Sequence, residues 1–377
     1  MKIISAVYSH PEFYPPTLNA IDILSAKVSE ITILFRDVKP TEATYPTNVK
    51  LVKSGRFKTI RATEVSSYFW KIKSFLRYTF TFYQLIKKTN PEWVIVYDSI
   101  PLLAYSILSK FLIKKPKLWY HNHDVLEESR LNKFSVSWLA LKNESGVFSK
   151  IDLFSLPSRE REQFFPIKKL KGKYFFLPNF PLLENHQSQK EVRNNSHLKL
   201  IYQGHLGDGH GLMEIIRYIK SLNSEHLSLS IMGIGNISYI NKLNNLIEKL
   251  NLSNLIKIYS PLPYQELKKF TIQHDIGLAI LLPKNVNFKT ASTSSNKIYE
   301  YIASSMPVIL YDAESYKSSL AKRKWAFFTD LSNESLDKTF STISKNYLEL
   351  SNCAREDFEK ELNFEFNFNP IFSYLNL

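Results

Sequence analysis

Apolar residues fall into short solid runs separated by longer mixed stretches, and the chain goes through this alternation twice. KIISAVYS (2–9), EITILFRD (30–37), PEWVIVYDS (91–99), PKLWYHNHD (116–124) and IDLFSLPS (151–158) read as strands. A helix is expected after Pro16, another over PLLAYSILSKFLI (101–113), and a long helical region through Ser149. Near-continuous apolar strands alternating with helices predict a parallel, doubly wound sheet. A polar, aperiodic stretch starting at Leu183 reads as a linker. The pattern then restarts, with strands at LKLIYQG (198–204), LSLSIMG (227–233), LIKIYSPL (255–262), DIGLAILL (275–282) and MPVILYD (306–312) and helices between them. The expected fold class is α/β, two Rossmann-like domains facing across a cleft. One covers 1–182, a linker 183–197, and the second 198–363; a C-terminal helix at about 364–377 is expected to pack back on the first. Ligands of such sheets bind at the carboxyl ends of the strands.

A length of 377 residues agrees with two domains. A single cysteine, Cys353, leaves no partner for an internal disulfide and suits a reducing compartment. The opening MKIISAVYSH reads as a strand rather than a leader, and no apolar run reaches the roughly eighteen residues of a membrane span. The net charge of +14 is lopsided: residues 1–180 carry 28 Lys and Arg against 15 Asp and Glu, the remainder 21 against 20. The first half therefore meets something anionic, or is simply a lysine-rich surface.

Four of the ten glycines fall within YQGHLGDGHGL, Tyr202 to Leu212, at a strand-to-helix turn. Gly204, Gly207, Gly209 and Gly211 permit unusual backbone angles, and the helix that follows aims backbone N–H groups and its positive dipole end above the sheet, as a phosphate site requires. The spacing is neither G-x-G-x-x-G nor a P-loop.

This loop resembles the G-x-L-x-x-x-[RK]-G-L loop of nucleotide-sugar glycosyltransferases of the GT-B fold, family 4 above all. SNKIYEYIASSMPVILYD, Ser295 to Asp312, resembles that family's PNKLFEYLAAGKPVI helix; IMGIG and YSPLPYQELKKFTIQHDIGLAI lie between in the same order. YHNHDVLEES and FFLPNFP resemble first-domain motifs. The resemblance implies a donor site of Gly204, His205, Gly209, His210, Gly211, Gly233, Pro261, Leu262, Asn296, Lys297 and Glu300. Glu300 would hold the ribose hydroxyls, Lys297 the diphosphate, and backbone at Pro261 and Leu262 the base. The sequence departs from the family at three places. His210 replaces the cationic loop residue, Ser292 the first of two glutamates, and Ser305 a glycine.

In HNHD, His121 to Asp124, the resemblance places His123 near the transferring sugar, with Asp124 orienting it or acting as base. Glu128 and Glu144 would steady the same wall. Two histidines two apart also invite a metal reading, but no further ligands stand nearby, and no Asp-x-Asp occurs. Neither metal nor cofactor is expected; the donor is a substrate. SSYFWKIKSFLRYTFTFYQLIKK (66–88) interleaves Trp70 and other aromatics with Lys71, Lys73 and Arg77, which suits an anionic membrane surface or a helix packed on the sheet.

The expectation is thus a metal-independent glycosyltransferase in the cytoplasm, at the inner face of the membrane. It would move a sugar to a hydroxyl of a lipid-linked saccharide, in assembly of a bacterial surface polysaccharide, with retention favoured over inversion. Two alternatives stay open: a nucleotide-sugar epimerase, and a basic nucleic-acid-binding protein, although no nucleic-acid-binding signature is present.

Overall fold

The computed structural model describes residues 1–56, 66–186, 197–222 and 226–377. It divides into two units, Met1–Pro178 with Asn367–Leu377, and Asn179–Phe366. Most of the expected linker, 187–196, lies outside the described residues.

The strands of the first unit are β1 (Lys2–Val7), β2 (Glu30–Asp37), β3 (Val49–Arg56), β4 (Trp93–Tyr97), β5 (Lys117–His121), β6 (Leu153–Leu156) and β7 (Lys173–Phe176). They form one parallel sheet in the order β3-β2-β1-β4-β5-β6-β7. All of β4, WVIVY, is buried, because helices cover both faces of the sheet. These are α1 (Pro15–Ser25), α2 (Tyr68–Thr89), α3 (Ser99–Leu108) and α4 (Val136–Val147). Ser67 caps α2 through the Trp70 N–H, and Asn90 ends it in the left-handed region. Phe75, Tyr78, Phe82 and Ile86 face the core.

Two features differ from the sequence reading. The edge strand β3 was not anticipated, since VKLVKSGR breaks its apolar run with lysines, as exposed edges do. The long helix through Ser149 is much shorter. Phe134 takes a left-handed φ of 64° and Ser135 caps the Trp138 N–H at 3.2 Å, so α4 starts only at Val136.

The second unit has β8 (Leu198–Gln203), β9 (Leu227–Met232), β10 (Ile256–Tyr259), β11 (Ile276–Ala279), β12 (Val308–Tyr311) and β13 (Ala326–Thr329). These are parallel in the order β10-β9-β8-β11-β12-β13. Its helices are α5 (Leu212–Ser221), α6 (Ile237–Lys249), α7 (Tyr264–Thr271), α8 (Val286–Lys289), α9 (Asn296–Ala303), α10 (Glu314–Leu320) and α11 (Asn333–Lys360). A last helix, α12 (Phe364–Leu375), runs from the second unit into the first, where Phe368 meets Trp119 and Tyr374 meets Trp93 and Phe175.

Strand order reverses between β1 and β4 in one sheet and between β8 and β11 in the other. A crevice opens above such a reversal, because the connecting helices leave on opposite faces. Each crevice collects the residues of a candidate site.

Candidate functional site

In the second unit the glycine loop leaves β8 above the reversal. Its hydrogen-bond ladder to the neighbouring strand continues past the strand end: the Gly204 N–H donates to the Met232 carbonyl at 3.0 Å and the Leu206 N–H to Ile234 at 2.8 Å. The two chains run so close here that a Cβ on Gly233 would lie 1.7 Å from the Gly204 oxygen. Gly204, Gly209 and Gly211 have φ of 134°, 98° and 65°; Gly211 is the N-cap of α5.

Lys297, on the first turn of α9, rises into this loop. Its Nζ lies 3.3 Å from the Tyr202 hydroxyl and 4.3 Å from the ring centroid, and 3.2 Å from where a Gly204 Cβ would stand. The Tyr202 hydroxyl donates to the His205 carbonyl at 2.5 Å. Loss of solvent brings the Lys297 ammonium down to about 8, against the pull of Glu300. Glu300 accepts from the Gln203 Nε2, and desolvation holds its carboxyl above the usual range. Gln203 is locked in turn: its Oε1 accepts from Thr271 at 2.8 Å and its N–H donates to the Tyr301 hydroxyl at 2.9 Å. Lys268, whose electrostatic partner is also Glu300, and Lys284, whose side chain lies 3.2 Å from a Gly209 Cβ, add positive potential. The Asn296 Oδ1 is buried without a partner among the described residues. Pro261 is exposed and Leu262 half-buried just beyond β10, at the same end of the sheet as Gly233.

His210 requires a correction. It is buried against Tyr202 and Phe288, and burial together with Lys297 pushes it down to about 3. Its ring is hydrogen-bonded to the Ile280 carbonyl, and among the described residues Nδ1 has no partner. A neutral imidazole has one N–H, and here the carbonyl takes it; what remains is an acceptor, not a phosphate donor. Ser292, in the place of the family's first glutamate, is fully buried beneath Tyr299, whose hydroxyl donates to the Ser292 carbonyl at 2.7 Å. Ser305 holds a left-handed φ of 57°, the conformation that explains a glycine at that position in the family.

In the first unit His123 stands over the reversal between β1 and β4. Its ring stacks between Tyr14 (4.8 Å) and Tyr97 (5.2 Å), each within 7° of parallel. Nε2 pairs with Thr17 Oγ1 at 2.8 Å, so Thr17 and not Asp124 orients the ring. Asp124 is exposed. Burial, with His121 and the buried Arg161 nearby, keeps His123 neutral. Asp98 accepts the His123 N–H at 2.7 Å and the Asp124 N–H at 3.3 Å, and burial beside Asp124 pushes its carboxyl up to about 7. Its φ of 66° is strained for a non-glycine residue. Glu144 is buried on Tyr120, whereas Glu128 is ion-paired with Lys142 at 2.6 Å. Among the described residues no cluster of three or more His, Cys, Asp or Glu could hold a metal ion.

On α2 the side away from the sheet is apolar as well as basic. Phe69 (82% exposed), Leu76 (58%) and Phe80 (60%) follow one helical stripe, with Lys73 within it and Arg77 beside it; Lys71 is exposed and Trp70 half-buried.

No protein-family model matches the sequence, and no curated protein does. Solved structures match its fold. The sucrose-phosphate synthase of Thermosynechococcus elongatus has a TM-score of 0.75 at 10% identity, covering 100% of this chain and 98% of its own. Anabaena HepE, solved with UDP and glucose, reaches 0.69 at 13% identity, over 100% and 99%. WaaG, a glycosyltransferase involved in lipopolysaccharide biosynthesis, reaches 0.67 at 11%, over 98% and 99%. The likeness spans both units. This chain has the GT-B fold of glycosyltransferases.

Proposed function

We propose that this chain is a glycosyltransferase that moves a sugar from a nucleoside-diphosphate sugar to a hydroxyl of a saccharide acceptor bound by its first unit. One observation carries the reading: the Lys297 ammonium at the base of a glycine loop, one helical turn from Glu300, beside the N-terminus of α5. The C1–O bond to the diphosphate breaks and a C1–O bond to the acceptor forms. The departing charge is met by loop N–H groups, the α5 dipole and Lys297, without a metal. Glu300 accepts the ribose hydroxyls, the backbone at Pro261 and Leu262 borders the base, and Asn296 Oδ1 takes a further donor.

In a retaining reaction the departing phosphate oxygen takes the acceptor proton. A neutral, stacked His123 supports this course, since it is a weak base that suits hydrogen bonding to a sugar. The exposed apolar and basic stripe of α2 supports an acceptor at a membrane, hence a lipid-linked saccharide and a peripheral location on the cytoplasmic face. HepE with UDP and glucose, and WaaG in lipopolysaccharide biosynthesis, are in keeping with a surface-polysaccharide role. A thermal-shift panel of UDP-, GDP-, CMP-, ADP- and dTDP-sugars tests the donor. Stabilisation by one nucleotide family is expected, and no response to any rejects the reading.

A further inference from the structure

The first unit holds a second feature, set apart from the His123 ring. A cavity of about 120 Å³ opens between the ends of β4 and β5 and helix α4, lined by Ser99, Asn122, Leu126, Leu141, Glu144 and Phe165 among others. Its polar floor has a fixed sense. The Asn122 Nδ2 donates to the Tyr120 hydroxyl at 3.1 Å, and that hydroxyl donates to Glu144. The donors of this chain are thus committed to Tyr120 and Glu144. The Asn122 Oδ1 is left buried without a partner among the described residues, on a residue only 2% exposed. A buried carbonyl of this kind is costly until something donates to it. Among the described residues the lining is neutral or acidic, which suits a neutral occupant.

We propose that this cavity is a subsite for a neutral, hydroxyl-bearing ring, one sugar unit of the acceptor, whose hydroxyl donates to Asn122 Oδ1 while its C–H faces rest on Leu126, Leu141 and Phe165. At about 30 Å³ per water the volume takes about four waters, the space of part of a hexose ring, so the sugar enters by one edge. Asn122 faces the α4 side with Tyr120 and Glu144, at the same strand end that carries His123. Burial pushes the Glu144 carboxyl up to about 7, which keeps the floor near neutral. As an acceptor subsite the assignment rests on the sugar-transfer reading; as a sugar-binding cavity it does not.

The test is saturation-transfer NMR on the full chain with glucose, galactose, N-acetylglucosamine and glycerol as probes, up to tens of millimolar. Wild type is expected to bind at least one sugar. Leu141→Trp and Val125→Phe, each enlarging a residue that lines the cavity, should each weaken that binding at least tenfold while UDP affinity and melting temperature hold. Two variants guard against one failing to fold. Sugar binding unchanged in a folded variant, or no sugar bound by wild type, overturns the proposal. A sugar signal lost in the variants of a protein that ignores every nucleotide sugar keeps the cavity and rejects the transfer reading.

Discussion

Lys297 rests its ammonium on the face of Tyr202, 4.3 Å from the ring centroid, at the point where the backbone of Gly204 turns under it. The cation has a π face and a phenol for company and little water, and it is ready for an anion. Replacing it by methionine removes a charge-assisted contact of about 1.5–3 kcal/mol, so Lys297→Met should weaken nucleotide-sugar binding ten- to hundredfold. The pH dependence follows in sign. In the free protein Lys297 loses its proton as pH rises through about 8. Binding a diphosphate then requires proton uptake, and affinity falls above that pH. Calorimetry across pH 6 to 10 checks it; a wild-type profile as flat as that of Lys297→Met refutes the role.

Glu300→Ala and Gly204→Val should each lower donor affinity while the fold survives. The first removes the carboxylate from the crevice; the second pushes a side chain towards Lys297 at a φ of 134°. Circular dichroism establishes the fold and calorimetry the affinity. Wild-type binding by both variants counts against this crevice.

Glycosyl transfer should persist in EDTA, because loop amides, the α5 dipole and Lys297 supply the positive potential. Activity lost on chelation and restored by manganese or magnesium would show that charge to be insufficient.

The α2 stripe makes a two-part prediction. Each exposed base near an anionic surface contributes on the order of 1 kcal/mol. Replacing Lys71, Lys73 and Arg77 by Gln should weaken co-sedimentation with anionic vesicles at low salt and leave donor affinity alone. Phe69→Ser with Phe80→Ser should weaken it further, with the melting temperature unchanged, because both rings are already in solvent. Undiminished sedimentation of either variant removes the membrane from the account.

Glu144 gives a stability test. Its carboxyl ionises near 4.5 when unfolded and near 7 when folded. Between those values the unfolded chain sheds a proton that the fold keeps, so stability falls as pH rises, by up to about 3 kcal/mol above pH 7. Glu144→Gln should therefore melt above wild type at pH 8 and level with it near pH 4. Scanning calorimetry at the two pH values decides.

Much of the second unit was legible because its signals are local. A solid strand, a cluster of glycines and an amphipathic helix carry their meaning within a dozen residues, and Gly204, Lys297 and Glu300 stand where that pattern put them, around one crevice. What escaped depends on distant neighbours. Thr17 reaches His123 across 106 positions, and no spacing rule relates them. The proton of His210 is settled by the Ile280 carbonyl on another strand. Gln203 and Asp98 could have been found as polar residues ending solid apolar strands. β13 and α11 carry weaker patterns and were passed over, although α11 buries Leu336, Phe340 and Ile343 in one core and, beyond a kink at Asn346, Ala354 and Phe358 in another.

The last helix has a consequence for how the molecule is made. Phe368 covers Trp119, Tyr374 wedges between Trp93 and Phe175, and its hydroxyl holds the Asp152 carbonyl at 3.0 Å. The unit synthesised first thus receives its final side chains from residues synthesised nearly two hundred positions later. On the ribosome it must wait with two tryptophans uncovered while the whole second sheet emerges and folds. Translation order and completion order are reversed.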